Sequence, residues 1–272
     1  SKQQHYHSIV KRSFNRFVTR MIEVQHIVKS FNGKTVLKDI SAVFEAGKTN
    51  LIIGQSGSGK TVLMKSVIGI HQVDQGKILY GNRDLTKKNK KEVGALRQEI
   101  GMLFQGSALF DSMTVEENVR FPLEMFSEKS RDEWEKRVKF CLQRVGLDHA
   151  AKLYPSEISG GMQKRAAIAR AIVLEPTYLF CDEPNSGLDP KTSLTIDQLI
   201  QEITRENNIT TIVNTHDMNS VMEIGDKILF IHQGEKAWEG SKDSIFDSNN
   251  EDLNNLVFAS NLFKKVKQYH KL

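Results

Sequence analysis

The eight residues "GQSGSGKT", 54 to 61, constrain this chain more than any other stretch. They follow the short apolar run "TNLIIG" (49 to 54) and open a helical pattern over 59 to 70, so G-x-x-x-x-G-K-T stands between a strand and a helix. That is the context of a phosphate-binding loop. Gly54, Gly57 and Gly59 let the backbone turn until the N–H groups of the loop, Gln55, Ser56 and Ser58 included, point inward at phosphate, and the helix N-terminus adds positive potential. Lys60 is expected to reach the β- and γ-phosphates, and Thr61 to place its hydroxyl on Mg²⁺. The loop alone fits a kinase, a GTPase or a transport ATPase.

Further elements narrow the chemistry. "YLFCDEP" (178 to 184) ends an apolar strand on two adjacent carboxylates. Alternation along a strand sends them to opposite sides, so Asp182 is expected to face a metal while Glu183 addresses an attacking water. "SGLD" (186 to 189) and Pro190 start the next helix, with Asp189 as its cap. His216, in "NTHD", closes another apolar strand. A lone histidine is more often a satisfied structural residue, but a third strand end beside the acid pair makes it a candidate to bond the terminal phosphate and orient the water. "ISGGMQKRAAIARA" (158 to 171) puts Ser159, Gly160 and Gly161 at a helix start, again an anion-binding geometry. This second phosphate reader lies in a separate helical region, and its simplest use is the nucleotide of a second subunit.

The chain as a whole alternates in two registers from Met21 onward. "IEVQHIVKSF" and "TVLKDISAVFEAG" alternate polar with apolar residues and predict half-exposed antiparallel strands. "TNLIIG", "IGMLFQ" (100 to 105), "TYLFCDE" (177 to 183) and "TTIVNTH" (210 to 216) are continuous apolar runs, expected of strands covered on both faces. Helices over 59 to 70 and 190 to 206 complete an α/β pattern with a largely parallel central sheet. Residues 107 to 172 read as an inserted helical lobe, and 228 to 240 as a closing hairpin turning at Gln233 and Gly234. Residues 1 to 20 form an extension, and 241 to 272 a tail with helical spacing. A weak amphipathic pattern in the extension (Ile9, Phe14, Phe17, Val18) permits a membrane-surface or partner helix.

Composition excludes several classes. The net charge of +5 comes from scattered residues, clustered mainly in "KKNKK" (87 to 91) and "FKKVKQYHK" (263 to 271). These read as solvated faces, with anionic lipid headgroups a better second reading than nucleic acid. Cys141 and Cys181 stand in apolar surroundings without metal-ligand spacing, as reduced core residues of a cytoplasmic protein. No run of 18 apolar residues occurs, so nothing here is expected to span a bilayer, and the N-terminus lacks the apolar core of a signal peptide.

Together these motifs, in this order, resemble the ATP-binding cassette (ABC) ATPase family over roughly residues 21 to 240. "GQSGSGKT" is similar to its Walker A motif, Gln105 to the Q-loop, "ISGGMQ" to the signature, "YLFCDE" to Walker B, "SGLD" to the D-loop and His216 to the H-loop. Phe31 occupies the place where the family stacks an aromatic ring on adenine. Ile158 stands where leucine is usual, Phe31 where tyrosine is commoner, and Asn185 where threonine is frequent. The resemblance implies a P-loop NTPase core with an antiparallel β subdomain and an inserted α-helical subdomain. It also implies a head-to-tail homodimer with two ATP molecules between the subunits. Each ATP, with its Mg²⁺, would be held by Phe31, residues 54 to 61, Gln105, Asp182, Glu183 and His216 of one chain and Ser159, Gly160, Gly161 and Asp189 of the other. Thr61, Gln105 and Asp182 are the implied metal ligands; Lys60, Gln105, Glu183 and His216 are the implied catalytic set. Gln105 would bring its amide to the Mg²⁺ or the attacking water, at the joint between the nucleotide and a permease.

Within that family, "FQGSALFDSMTVEENV" resembles the ATPase of bacterial Mla-type phospholipid transport systems. Such a resemblance implies a peripheral place on the cytoplasmic face of the inner membrane. It also implies an MlaE-like integral permease, a periplasmic MlaD-like MCE-domain protein and, in some systems, a STAS-domain partner, with no nucleic acid. Polar amino acid import or lipoprotein export is the alternative cargo. A non-transport ATPase acting on DNA or ribosomes fits less well, because Gln105 and Ser159 stand too close in sequence for long coiled coils between them. A nucleotide sensor without turnover is disfavoured by the intact Glu183 and His216.

Overall fold

The structure, a computed structural model, describes residues 20–259. The amphipathic pattern at Ile9, Phe14, Phe17 and Val18 and the basic run at 263 to 271 lie outside them. Two sheets organise the molecule. In the first, β1 (Ile22–Phe31), β2 (Lys34–Phe44), β4 (Gln75–Tyr80) and β5 (Arg83–Asp84) pair antiparallel in the order β2-β1-β4-β5. Asn32 and Gly33, both with positive φ, make the two-residue turn that right-twisted strands favour.

The second sheet has six strands in the order β10-β9-β3-β8-β7-β6. Its strands β3 (Thr49–Ile53), β6 (Ile100–Leu103), β7 (Tyr178–Asp182) and β8 (Thr210–Asn214) are the four continuous apolar runs, all parallel. β9 (Lys227–His232) joins parallel to β3, and β10 (Glu235–Gly240) folds back antiparallel through the turn at Gln233 and Gly234. Both faces are covered. Ile52, Phe180 and Ile212 pack toward the antiparallel sheet and Leu63, Met64 and Val67 of α1 (Lys60–Val67). Leu51, Ile53, Val213 and Phe230 point the other way, into a core shared with the remaining helices.

Between β6 and β7 the chain is helical: α3 (Val115–Phe126), α4 (Arg131–Arg144) and α5 (Gly160–Ile172). Thr114 with Glu117, and Ser130 with Glu133, start α3 and α4 as reciprocal capping boxes. α6 (Pro190–Glu206) and α7 (Met218–Ile224) follow β7 and β8, and α8 (Glu251–Val257) packs Leu253 and Val257 into the core beside β10. Cys141 and Cys181 are buried and free, and burial pushes the Cys141 thiol up to about 11. No helix among the described residues is long and apolar enough to cross a membrane.

Three local readings need correction. The helix after the phosphate loop ends at Val67, not at residue 70, because Gly69 turns left-handed and the N–H groups of Gly69 and Ile70 close onto Ser66 and Lys65 carbonyls. β6 ends at Leu103, leaving Phe104 exposed and Gln105 two residues beyond the strand. β7 ends at Asp182, and Glu183 is left-handed with φ 48°. Sequence periodicity also missed β4, β5 and α2 (Lys90–Gln98), where Asn89 caps the helix inside the basic run.

Candidate active site

The phosphate loop is shaped by close approaches. A Cβ on Gly54 would lie 2.3 Å from the Ile231 carbonyl oxygen, so the next strand leaves no room for a side chain. Gly57 has open space around it and is required for its φ of +78° alone. The tip of the last hairpin braces the loop: Gly234 N–H donates to the Ser58 carbonyl at 3.0 Å, and the Gly234 carbonyl accepts from Lys38 N–H at 2.7 Å. Gln55, Ser56, Gly57 and Thr61 are exposed, whereas Ser58, Gly59 and Lys60 are buried. Lys60 Nζ folds over the loop, donating to the carbonyls of Gly54 (2.8 Å) and Gln55 (3.0 Å). Burial lowers its pKa, against the charges of Glu183 and Asp182, which raise it. The Ser58 hydroxyl is buried without a partner, an unsatisfied polar group in a loop whose leading N–H groups also lack intrahelical acceptors. This wall fits a phosphate.

Opposite it stand the carboxylates. Asn214 Nδ2 donates to Asp182 Oδ1 at 2.6 Å and approaches Thr61 Oγ1 at 3.3 Å, so a single buried amide links the two oxygens expected to hold a metal. Hydroxyl and carboxylate oxygens suit Mg²⁺. Sequence reasoning passed over Asn214; its signal was an amide side chain directly after the apolar Ile212 and Val213, at the end of the buried β8. Asp182 and Glu183 do part company, through the left-handed turn at Glu183 rather than through strand alternation. Glu183 N–H donates to the Asn214 carbonyl at 2.8 Å, and its carboxylate Oε2 meets His216 Nδ1 at 2.8 Å. His216 therefore contacts the carboxylate directly.

Gln105 is exposed and donates from Nε2 to Ser186 Oγ at 3.4 Å. The chain after it is held by α5: Lys164 Nζ donates to the Gln105 carbonyl, and Arg170 donates to those of Ser107 (2.8 Å) and Ala108 (2.7 Å). Ser107 and Ala108 are both left-handed, with φ of 62° and 50°. Phe31 ends β1 as a residue 38% exposed, its ring edge-on to His71 at 5.2 Å and under Lys29 at 5.1 Å. That leaves ring surface open to solvent.

The other candidates gather around the starts of α5 and α6. Ser159 Oγ accepts from Met162 N–H at 3.3 Å and caps α5. Asp189 caps α6 by accepting from Lys191 and Thr192 N–H at 3.1 and 3.0 Å, and the Thr192 hydroxyl helps hold its carboxyl below the usual range. A Cβ on Gly161 would come within 2.6 Å of Thr192 Cγ2, and one on Gly160 within 3.7 Å of Leu188. Ser159, Gly160, Gly161 and Asp189 thus form one small surface. Ile158 is buried beside it in the core.

The geometry agrees with what is known of similar proteins. The family model described as ABC transporter matches residues 37–186. The chain is 37% identical over 237 residues to the methionine import ATP-binding protein MetN of Clostridioides difficile, covering 87% of this chain and 74% of that one. It is also 37% identical over 227 residues to the probable ribonucleotide transport ATP-binding protein mkl of Mycobacterium leprae, covering 84% of this chain and 65% of that one. The chain thus spans about two thirds to three quarters of the length of these relatives. Among solved structures, a dimeric ATP-binding cassette in a post-hydrolysis state bound to ADP and Pi superposes with a TM-score of 0.74 at 30% identity, over 81% of this chain and 98% of that one. The cbiO1 protein of Clostridium perfringens, part of the ABC transporter complex cbiONQ, gives a TM-score of 0.79 at 28% identity over 94% and 99%. With a phosphate loop, an acid-ended strand and these relatives in agreement, the chain belongs to the ABC transporter family, as an ATP-binding cassette of the ABC ATPase fold.

Proposed function

We propose that this chain is the ATP-hydrolysing subunit of a transporter, working as a head-to-tail dimer beneath an integral permease at the cytoplasmic face of a bacterial inner membrane. The observation that carries the reading is the largely buried Glu183 carboxylate, turned out of its strand and held 2.8 Å from His216. In this scheme Lys60 and the N–H groups of 54–61 hold the phosphates, and Glu183 accepts the proton of the attacking water while His216 fixes the direction of its carboxylate. Asn214 keeps Thr61 and Asp182 together as ligands, with Gln105 completing the set. When bound there, Mg²⁺ supplies charge neutralisation at the oxygens of the transferring phosphoryl group. Phe31 offers its open ring face to adenine, and Ser159, Gly160, Gly161 and Asp189 serve the partner's nucleotide. The decisive test is phosphate release by Glu183→Gln: normal turnover in that variant would overturn the assignment of the base.

The permease seat is an apolar cleft of about 670 Å³ between the sheet edge and the helical region, lined by Phe104, Phe110, Phe121, Phe126 and Arg170. Three of those phenylalanines are exposed, and the cleft borders the segment that leaves Gln105. For the cargo we favour phospholipid moved between inner and outer membranes, on the resemblance of residues 104 to 119 to Mla-type ATPases. Import of an amino acid is the second reading, favoured by the methionine import relatives. Copurification from membranes separates them: a permease with an MCE-domain protein and bound phospholipid supports the first, and turnover stimulated by a methionine-loaded binding protein supports the second.

A further inference from the structure

Two residues after Glu183 begins a buried polar triad that the nucleotide chemistry leaves unused. Asn185 Nδ2 donates to Asp197 Oδ1 at 2.8 Å and to Ser220 Oγ at 3.0 Å, and the Ser220 hydroxyl also bonds to Asp197. The three are 9%, 3% and 1% exposed. They come from different segments. Asn185 belongs to the turn carrying Glu183, a turn closed by Ser186 N–H on the Glu183 carbonyl. Ser220 lies in α7, whose cap Asp217 directly follows His216. Asp197 sits two turns into α6, the longest helix among the described residues. One carboxylate therefore ties both chemically important segments to a rigid third element.

We propose that Asp197 is a positioning residue for hydrolysis: by accepting from Asn185 and Ser220 it sets the spacing of Glu183 and His216. The residue types suit the task. An ionised carboxylate only accepts, so it takes an N–H and an O–H at once, and an amide nitrogen has two hydrogens to serve two neighbours. Asn185, left without a role by the nucleotide motifs, uses both; its Oδ1 has no partner, so its presence is explained by donation alone. The carboxylate is held at a cost. Burial pushes its pKa up to about 6 against the bonds from Ser220 and Asn185, and the charges of Asp217 and Glu223 on the facing segment push the same way, with the neutral Cys181 thiol also nearby. A group that burdens the fold is better understood as serving the site than as serving stability.

This inference rests on Glu183 and His216 being the hydrolytic pair. Its test uses the purified full chain, comparing wild type, Asp197→Ala, Glu183→Gln and the double variant by steady-state and single-turnover ATP hydrolysis and by equilibrium ATP binding. Asp197→Ala is expected to lower kcat about tenfold or more, with KM and the ATP dissociation constant within about twofold, and to add no further loss to Glu183→Gln. Wild-type turnover in Asp197→Ala, an ATP affinity that falls in step with kcat, or an independent loss on top of Glu183→Gln overturns it. If Asp197→Ala does not fold, Asn185→Ala removes only the donor and is judged by the same criteria. Full turnover in Glu183→Gln overturns the hydrolytic pair itself, a failure distinct from an intact pair indifferent to Asp197.

Discussion

A non-glycine residue in the left-handed region costs on the order of 1 kcal/mol, and Glu183 sits there, at the end of β7. A continued strand would give up the turn that now brings its carboxylate to His216. Glu183→Gln keeps backbone and volume, so we expect ATP to bind normally while phosphate release falls by about 10²-fold or more, checked by equilibrium binding beside single-turnover hydrolysis. Asp197 makes a different demand. Its pKa is raised from an ordinary 3.8 to about 6. Below the unfolded value both states are protonated and nothing is lost; as pH rises through 6 the folded carboxylate must ionise while buried, and stability falls by about 3 kcal/mol in all. Asp197→Asn never ionises. It should unfold at higher denaturant than wild type at pH 8, with the gap closing between pH 6 and pH 4; a pH-independent gap would refute this. The residues of the phosphate loop and the acid pair were legible in the sequence because their chemistry is tied to local spacing. Asn214, Asn185 and Ser220 were not, because each is defined by partners 12 to 153 positions away that only the fold brings near.

Among the elements, α5 does two jobs. Its first residues present the Ser159, Gly160 and Gly161 surface, while Lys164 and Arg170 hold the Gln105, Ser107 and Ala108 carbonyls of the segment after β6. Burial lowers the Arg170 pKa, so its charge is maintained against a desolvation cost that the carbonyls offset. Arg170→Met should cost about 2 kcal/mol in urea unfolding, since it strips the Ser107 and Ala108 carbonyls of a charged donor. Ala108→Gly should act in the opposite sense, adding up to about 1 kcal/mol by relieving a left-handed alanine, measured the same way. An unchanged midpoint in both would mean that the segment carries no strain. The parallel strands were readable from their continuous apolar runs, and α6 from its cap and periodicity. β4 escaped because its apolar residues are few and its partner β1 is distant in sequence, and β5 and α2 because each is short and carries few apolar residues.

At the scale of the molecule, the phosphate loop and the Ser159 surface belong to one chain yet are proposed to meet only across a dimer. Lys60→Ala and Ser159→Arg chains should each be inactive alone. Random mixing should restore about a quarter of wild-type hydrolysis, because half the dimers are mixed and each holds one intact site of two. No recovery on mixing would argue against composite sites. The parallel central sheet and the helical insertion could be anticipated from the chain's alternating registers, but the order of the strands could not, nor could the bracing of the phosphate loop by the closing hairpin, since Gly234 and Ser58 share no sequence signal. That bracing bears on anyone who wishes to label this protein. A short hairpin tip far from any motif is ordinarily the first place to graft an epitope or a fluorophore. Here the backbone of Gly234 is engaged on both sides, to Ser58 and to Lys38, and a Cβ there would lie 2.3 Å from the Val36 carbonyl. A tag inserted at 233–234 would report faithfully on expression and localisation from a protein it had already deprived of its grip on ATP.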